Sequence, residues 1–150
     1  MASRNHGKVS IRPLKAEELD AMRKLWKAAG LPYKPRGRDR LRNLERQRCS
    51  FPSYFLGAFK GGRLIGVSLI TDDGRKGWIN RLAVRRENRR EGVGSLLVRR
   101  SEAILRRKGL NLLCAHIETD NQASVAFFEK LGYSIETDIL YLTKRDVKSY

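Results

Sequence analysis

The chain has 150 residues, of which 41% are hydrophobic and 32% are charged, a balance that suits one globular domain with its own core. Its formal net charge of +16 favours anionic partners: nucleic acid, an acidic protein surface or a phosphorylated cofactor. No apolar run approaches the roughly 18 residues of a membrane span, residues 1–6 lack the apolar core of a signal peptide, and the two cysteines have neither disulfide nor zinc-site spacing. We therefore expect a single cytoplasmic domain over residues 1–150, without a membrane partner or a metal.

The first third of the chain predicts a strand followed by two helices. Residues 9–14 alternate between apolar and polar and predict a short strand. Residues 17–29 predict a helix, because their leucine, methionine and tryptophan side chains recur at helical spacing, and Gly30 ends it. After a loop rich in proline and glycine, residues 39–49 predict a second helix with Asp39 as its N-cap.

The middle of the chain predicts three strands and a long helix. The strands cover residues 54–59, 64–71 and 77–84, with glycine-containing turns between them. The helix that follows ends at Gly109. Its predicted apolar face comprises Val93, Leu96, Leu97, Ile104 and Leu105. The remaining predicted elements are a buried strand over residues 110–119, a helix over residues 122–130 and a closing pair of strands over residues 133–143.

The most informative stretch, Arg89-Arg90-Glu91-Gly92-Val93-Gly94-Ser95, lies between a predicted strand and the long helix. Two glycines one residue apart let the backbone turn sharply and approach a ligand closely. The free amides and the dipole of the following helix favour an anion there, and Arg89 and Arg90 add full positive charges. A third glycine for a Rossmann fingerprint and a Gly-Lys-Ser/Thr sequence for a Walker loop are missing. The stretch predicts a pyrophosphate-binding loop of another kind.

Two motifs resemble the signatures of the GNAT superfamily of N-acetyltransferases. The first, Arg89-x-x-Gly92-x-Gly94, follows a strand and precedes a helix, as the acyl-coenzyme A signature of that family does. The second runs from Asn121-x-x-Ser124 to Gly132-Tyr133. The resemblance covers residues 57–143 and implies an α/β (α+β) fold. Its mixed, mostly antiparallel sheet has six to seven strands flanked by about four helices, in the order β-α-α-β-β-β-α-β-α-β-β.

The resemblance also implies acetyl-coenzyme A as the cofactor and direct transfer of its acetyl group to a primary amine in a ternary complex. In the family, the strand that leads into the loop binds the pantetheine arm through its backbone, and the second motif adds contacts. The implied cofactor-binding residues are Leu82, Ala83, Val84, Arg89, Arg90, Glu91, Gly92, Val93, Gly94, Ser95, Asn121, Ser124, Phe127 and Phe128. Asn121 also suits the N-cap of a helix.

His116 is the first candidate for the base that deprotonates the amine, because histidine commonly transfers protons near neutral pH. Some GNAT N-terminal acetyltransferases that resemble this stretch have a histidine or glutamate there. Glu118 lies two residues along the predicted strand, points to the same face and is the second candidate. The alternative interpretation of His116 is a hydrogen-bonded interior side chain.

Phe128 departs from the family pattern, which has a tyrosine as general acid at this position, and a phenyl ring cannot protonate the leaving thiolate. Three alternatives follow. The thiolate leaves without an acid, since a coenzyme A thiol is acidic enough; or a hydroxyl of Tyr141, Tyr133 or Ser124 substitutes; or the protein binds acyl-coenzyme A without fast turnover. Of the hydroxyls, Tyr141 joins His116 and Glu118 as a candidate catalytic residue.

The resemblance places the acceptor amine near the N-terminal helix pair, which makes Tyr33 a candidate for substrate binding. Asn80 and Arg81, near the end of the preceding strand, are further candidates. A second basic cluster is interpreted as a solvated helix face in preference to the border of a substrate groove. It consists of Lys34, Arg36, Arg38, Arg40, Arg42, Arg46 and Arg48.

The sequence leaves the acceptor open among a peptide N-terminus, a protein lysine and a small-molecule amine, with polyamines disfavoured by the positive charge of the protein. The family implies a homodimer. Two other functions compete with the enzyme: a weakly catalytic acyl-coenzyme A sensor, motivated by Phe128, and a basic nucleic-acid-binding module, motivated by the charge. The nucleic-acid module ranks lower, because the arginines cluster on the cofactor motif without interleaved aromatic residues that would stack on bases.

Overall fold

A computed structural model describes residues 7–148 and residue 150, and these build a five-stranded sheet with helices packed against it. The strands, in chain order and in spatial order, are β1 (Ser10–Pro13), β2 (Phe55–Lys60), β3 (Arg63–Asp72), β4 (Gly77–Val84) and β5 (Leu113–Ala115). Neighbouring strands are antiparallel from β1 to β4, whereas β4 and β5 are parallel. The mixed, mostly antiparallel sheet confirms the predicted fold class.

The helices of the described chain agree closely with the predicted ones. They are α1 (Leu19–Ala28), α2 (Leu41–Ser50), α3 (Val93–Arg107) and α4 (Gln122–Lys130). Gly30 and Gly109 follow α1 and α3 with φ of 73° and 84°, the left-handed conformation that ends helices at glycine. Within the described residues, no helix combines the length and apolarity needed to cross a bilayer.

The core lies on both faces of the central strands, since residues 55–59 and 64–70 are buried throughout. Leu19, Met22, Leu25 and Trp26 of α1 belong to the larger hydrophobic cluster, as the helical spacing predicts. Gly77 lets α3 approach β4 closely: a Cβ there would lie 2.6 Å from Leu105 Cδ1. These contacts fix α1 and α3 against the strand that leads to the predicted loop.

The last part of the chain contains fewer strands than the sequence predicts. Of residues 110–119, only Leu113–Ala115 pair with a neighbour, and residues 133–143 form no strand. The sheet therefore has five strands where six to seven were predicted. Residues 133–143 are rich in β-forming side chains, but a strand also requires a paired backbone, and Leu140 is 83% exposed. We call residues 134–148 the C-terminal segment.

Two local predictions about helices are wrong, and the prediction about a signal peptide concerns residues that the structure does not describe. Asp39 does not cap α2; its carboxylate accepts a hydrogen bond from the Lys34 amide and pairs with Arg81. Leu96 is 41% exposed, because the buried face of α3 runs through Val93, Leu97, Val98, Ser101 and Leu105. The Ser101 hydroxyl on this face lies 3.1 Å from Ser68 Oγ on β3. Residues 1–6, where no signal peptide is expected, lie outside the described residues.

Candidate active site

β4 and β5 separate at the point where the predicted site residues begin. Their parallel ladder starts at Gly77 and Leu113 and ends at Ile79 and Ala115. β4 continues to Val84, whereas residues 116–121, which follow β5, form neither strand nor helix. A cavity of about 460 Å³ lies between them. The separated strands thus provide a cleft lined partly by backbone that is not shared with a neighbouring strand.

Nine of the predicted site residues line this cavity. They come from β4, from the residues after β5, from the start and middle of α4, and from the C-terminal segment. They are Asn80, Arg81, Leu82, His116, Glu118, Asn121, Ser124, Phe128 and Tyr141. The fold therefore brings together both candidate bases, two of the three candidate acids and two of the three candidate acceptor-binding residues.

A β-bulge in β4 shapes one wall of the cavity. Leu69 pairs with Asn80 and Val67 pairs with Ala83, so two residues of β4 lie opposite one residue of β3. Arg81, in this bulge, has a φ of 49°, which is uncommon for a residue other than glycine. A bulge bends its strand and redirects neighbouring side chains and backbone groups. Here it directs Arg81 and Leu82 toward the cavity.

Arg81 fastens the α1–α2 loop (residues 29–40) across the cavity. Its guanidinium lies 3.4 Å from the Asp39 carboxylate, donates a hydrogen bond to the Pro32 carbonyl and lies over the Trp26 ring at 5.0 Å. Asp39 in turn accepts a hydrogen bond of 2.8 Å from the Lys34 amide. Arg81, predicted to bind substrate, is therefore largely occupied in holding the loop.

His116 and Glu118 line the cavity even though no strand extends to them. Both are exposed, so the interpretation of His116 as a hydrogen-bonded interior residue is wrong. The imidazole lies between two aromatic rings, with ring centroids 6.4 Å from Trp78 and 5.1 Å from Tyr141. Both candidate bases are thus accessible to a ligand in the cleft.

The second motif contributes a capped helix and an apolar surface. Asn121 Oδ1 accepts a hydrogen bond of 3.2 Å from the Ser124 amide, which confirms Asn121 as the N-cap of α4. Phe128, 6% exposed, packs edge-to-face with Phe127 and Tyr133, with ring centroids 5.3 and 5.1 Å away. The part of Phe128 that lines the cavity is therefore a hydrocarbon surface where the family has a hydroxyl.

Two of the candidate hydroxyls lie at the cavity and one does not. The Tyr133 hydroxyl donates to Glu102 Oε2 at 3.0 Å, and Tyr133 does not line the cavity. Burial raises the pKa of Tyr133 well above its usual value, and the Glu102 carboxylate raises it further. Of the three candidate hydroxyls, those of Tyr141 and Ser124 belong to residues that line the cavity.

The predicted pyrophosphate loop lies beyond the end of β4, outside the cavity. Arg90 and Gly92 have φ of 65° and 80°, so two left-handed residues turn the chain into α3. Gly92 is the N-cap of α3, and no side chain of the described residues caps the amides of the first turn. A Cβ on Gly92 would meet no atom within 4 Å, so the space beside the turn is open. These features suit an anion bound by backbone amides.

The side chains of the loop have more varied roles than the motif implies. Arg89 Nε donates to the Val84 carbonyl at 3.3 Å, and Glu91 accepts a hydrogen bond of 3.2 Å from Lys60 Nζ. A Cβ on Gly94 would lie 3.2 Å from Phe127 Cζ, so this glycine lets α4 approach α3. Arg89 and Glu91 therefore also anchor the loop to the sheet.

Several predicted residues lie away from the cavity, and some lining residues were not predicted. Tyr33 packs against the core near the Arg23 guanidinium, 5.9 Å from its ring, and does not line the cavity. The others outside it are Ala83, Val84, Arg89, Arg90, Glu91, Gly92, Val93, Gly94, Ser95 and Phe127. The polar lining residues that the sequence did not assign to the site are Arg38, Thr143, Lys144, Arg145 and Tyr150. Arg38 belonged to a cluster interpreted as solvated, Thr143 ends the region that was predicted as strands, and the other three residues follow that region.

Comparisons with known proteins agree with this architecture. The family described as "Acetyltransferase (GNAT) family" matches residues 19–133. Acetyltransferase SG1711 of Sodalis glossinidius is 28% identical over 139 residues, which cover 91% of this chain and 95% of that protein. Among solved structures, Ard1 from Thermoplasma volcanium has a TM-score of 0.76 at 19% identity, covering 86% of this chain and 84% of that one. The PaiA N-acetyltransferase of Thermoplasma acidophilum in complex with coenzyme A has a TM-score of 0.73 at 24% identity, covering 87% and 93%. The two solved structures share the fold.

Proposed function

Because this chain belongs to the GNAT family of acetyltransferases, which matches it over residues 19–133, we propose that it transfers the acetyl group of acetyl-coenzyme A to a primary amine. Transfer occurs by direct attack in a ternary complex. The observation that carries the proposal is the cavity between β4 and β5, where the candidate base and acid side chains lie together. β4 connects this cavity to the loop at the start of α3.

The loop fits the pyrophosphate of acetyl-coenzyme A. The uncapped amides of Val93, Gly94 and Ser95 donate to phosphate oxygens, and the open space beside Gly92 admits them. Arg89 and Arg90 are exposed and add positive charge beside the amides. Val93 itself is buried in the core, so it contributes its backbone alone.

The cleft between β4 and β5 receives the reacting end of the molecule. When bound, acetyl-coenzyme A supplies an acetyl group activated as a thioester. The backbone of Leu82, Ala83 and Val84 lies between the loop and the cavity, and the bulge at Arg81 redirects the backbone at its start. Phe128 and Leu82 present apolar surface in the cavity and exclude water from it.

The titratable side chains of the cavity handle the protons. An amine in the cavity must lose a proton to become nucleophilic, and His116 and Glu118 are the accessible acceptors. Phe128 cannot return a proton to the departing sulfur, but the hydroxyls of Tyr141 and Ser124 lie in the same cavity. We assign His116 as the base and Tyr141 as the acid, with Glu118 and Ser124 as the respective alternatives.

Calorimetric titration followed by an acceptor screen tests this function. Acetyl-coenzyme A, coenzyme A and desulfo-coenzyme A are titrated into the protein at moderate salt, and saturable binding with a Kd of about 1–100 μM is expected. Peptides and small amines are then incubated with acetyl-coenzyme A, and acetylated products are identified by mass spectrometry. Absence of binding to all three compounds would remove the proposal.

Phe128 favours a second function, that of a weakly catalytic acyl-coenzyme A sensor. Its ring lies in the cavity at the position of the family's general acid, packed between Phe127 and Tyr133. A sensor binds acetyl-coenzyme A with similar affinity but turns over slowly with every acceptor. Comparing Kd with kcat on the best acceptor separates the two, since an enzyme of ordinary efficiency reaches a kcat of about 1 per second or more.

A further inference from the structure

We propose that the acceptor is the N-terminal segment of an acidic peptide, whose carboxylates bind the cations that line the cavity between β4 and β5. The inference rests on the proposed transfer at the same site. Arg38 from the α1–α2 loop, Arg81 from the β4 bulge, and Lys144 and Arg145 from the C-terminal segment all line this cavity. Glu118 has the one acidic side chain among the described lining residues.

Unlike Arg81, Arg38 has a guanidinium that is available to a ligand. It is half-buried, and within the described chain no carboxylate forms an ion pair with it, whereas Arg81 shares Asp39 at 3.4 Å. Burial lowers the pKa of Arg81, and the nearby charge of Arg38 lowers it further, against the opposing effect of Asp39. The guanidiniums of Arg38 and Arg81 repel each other, and Asp39 is the one carboxylate that forms an ion pair with either of them in the described chain. The two guanidiniums therefore stabilise a second carboxylate, supplied by a ligand.

The distribution of the cations favours an acceptor with several negative charges. Arg38 lies on the α1–α2 loop, whereas Lys144 and Arg145 lie on the C-terminal segment, so two separate walls are positive. A volume of about 460 Å³ is in the range of ligand-binding cavities, and in the proposed ternary complex it is shared by the thioester and the N-terminus of the peptide. An acidic peptide presents carboxylates to both walls, whereas a polyamine or a lysine-rich segment is repelled by both.

The same charges assist the deprotonation of the acceptor. A positive surrounding disfavours the ammonium form of an amine and therefore lowers its pKa. The neutral form is the nucleophile, so the cations raise the fraction of amine that can attack. Proton transfer from the amine to His116 or Glu118 then requires less free energy. Acidic side chains of the acceptor anchor it in spite of this repulsion of its N-terminus.

A binding experiment that needs no turnover tests the inference. Three peptides with a free N-terminus and a dye at the C-terminus differ only after the first serine: Asp-Glu-Asp, Asn-Gln-Asn or Lys-Arg-Lys. Fluorescence anisotropy measures their Kd for the wild-type protein with saturating coenzyme A. We expect the acidic peptide to bind at least tenfold more tightly than the neutral one, and the basic one to bind more weakly than both.

Variants of the lining residues test whether the cations of the cavity cause the preference for the acidic peptide. The preference is measured as the Kd for the neutral peptide divided by the Kd for the acidic peptide. Arg38→Gln is expected to reduce this ratio about fivefold, and the double variant Lys144→Gln with Arg145→Gln is expected to reduce it by a similar factor. Arg36→Gln is the matched control, because Arg36 is an exposed arginine of the same loop that does not line the cavity. Circular dichroism establishes that each variant is folded. Equal affinity for acidic and neutral peptides overturns the inference, as does a preference that survives both cavity variants.

Two further readouts distinguish the competing outcomes. A short single-stranded DNA that displaces the acidic peptide at lower concentration than the unlabelled peptide does would assign the cations to nucleic acid and overturn the inference. Acetylation of the peptides is measured separately by mass spectrometry. If the acidic peptide binds more tightly but is not acetylated, the acidic-peptide site is supported and the proposed transferase activity is contradicted. If the neutral and acidic peptides bind with equal affinity and both are acetylated, the transferase activity is supported and the inference is overturned.

Discussion

The Arg81 guanidinium and the Asp39 carboxylate, 42 positions apart in the chain, lie 3.4 Å apart and join the β4 bulge to the α1–α2 loop. Their side chains are 18% and 7% exposed, so the pair is mostly shielded from water. Asp39 also holds the Lys34 amide, and Arg81 also holds the Pro32 carbonyl. The loop that borders the cavity therefore depends on one carboxylate and one guanidinium.

Asp39→Asn is expected to destabilise the protein by about 1–3 kcal/mol, because it leaves the shielded Arg81 guanidinium without its counter-charge. The loosened loop should also raise the KM for the acceptor more than the Kd for acetyl-coenzyme A. Denaturant unfolding and steady-state kinetics measure the two effects. Asp138→Asn, which alters an exposed carboxylate of the C-terminal segment, serves as the control for the loss of one negative charge. Equal stability of the two variants would contradict the role of the pair.

Gly92→Ala should weaken acetyl-coenzyme A binding about tenfold, because a Cβ enters the space where the loop receives the pyrophosphate. The left-handed φ of 80° also costs roughly 1–2 kcal/mol of stability for alanine. Gly74→Ala is the matched control, since Gly74 has a φ of 83° and equally open surroundings in a turn between β3 and β4. Calorimetry should show a weakened Kd for Gly92→Ala alone. Gly94→Ala is a poorer test, because its Cβ meets Phe127 at 3.2 Å.

His116→Ala is expected to lower kcat about 100-fold while leaving the Kd for acetyl-coenzyme A unchanged, since general-base catalysis contributes on the order of 10²–10⁴. Glu118→Gln tests the alternative base in the same assay. Glu129→Gln, an exposed α4 residue that does not line the cavity, is the control. A wild-type kcat for His116→Ala would transfer the role to Glu118 or to water.

Tyr141→Phe and Tyr133→Phe remove the same atom from two tyrosines with different surroundings. Tyr141 lies in the cavity with its ring 5.1 Å from His116, so loss of its hydroxyl should lower kcat about tenfold. Loss of the Tyr133 hydroxyl should leave kcat within twofold but lower the Tm, because it removes the hydrogen bond that this hydroxyl donates to the Glu102 carboxylate. If kcat is unaffected in both variants, the thiolate departs without a tyrosine acid.

The hydrogen bond from the Tyr54 hydroxyl to the Asp72 carboxylate should make stability depend on pH in acid. It holds the pKa of Asp72 below its ordinary value, so the stabilisation is present above about pH 4 and is lost as pH falls through the folded pKa. Burial raises the pKa of Tyr54, so its contribution is present below about pH 10 and is lost at higher pH.

Tyr54→Phe should therefore lower stability by about 1–2 kcal/mol at pH 7, and by less at pH 3. Urea unfolding at both pH values measures the difference. Tyr33→Phe is the control for loss of a tyrosine hydroxyl, since within the described chain the Tyr33 hydroxyl has no hydrogen-bond partner. A cost for Tyr54→Phe that does not change between pH 7 and pH 3 would contradict the linkage.

Features that depend on neighbouring residues could be predicted from the sequence. β4 was predicted with its observed bounds, and α4 likewise, because alternation and helical spacing are properties of short stretches. The N-cap role of Asn121 and the left-handed Gly92 also follow from local geometry. The nine cavity residues came largely from the family resemblance, which carries information about tertiary arrangement that periodicity lacks.

Features that depend on distant partners could not be predicted. Asp39 has the sequence context of a helix cap, yet its carboxylate meets Arg81, which no local pattern reveals. A serine such as Ser101 is expected on the surface of a helix from the sequence alone. It is buried here because its hydroxyl forms a hydrogen bond with the Ser68 hydroxyl where α3 packs on β3. Residues 133–143 have strand-like composition, and only the position of other backbones decides whether they pair.

The acyl-donor loop and the outer wall of the acceptor cavity differ in how closely they are packed against the core. The loop at Gly92 continues into α3, whose Leu97 and Leu105 are fully buried, so the position of the loop is fixed by the core. The outer wall of the cavity comes from the C-terminal segment, where Leu140 and Leu142 are exposed and no regular structure forms. Substitutions in this wall carry little folding penalty. Evolution can therefore exchange one acceptor for another by altering residues 141–145, while the acyl-donor site stays constant.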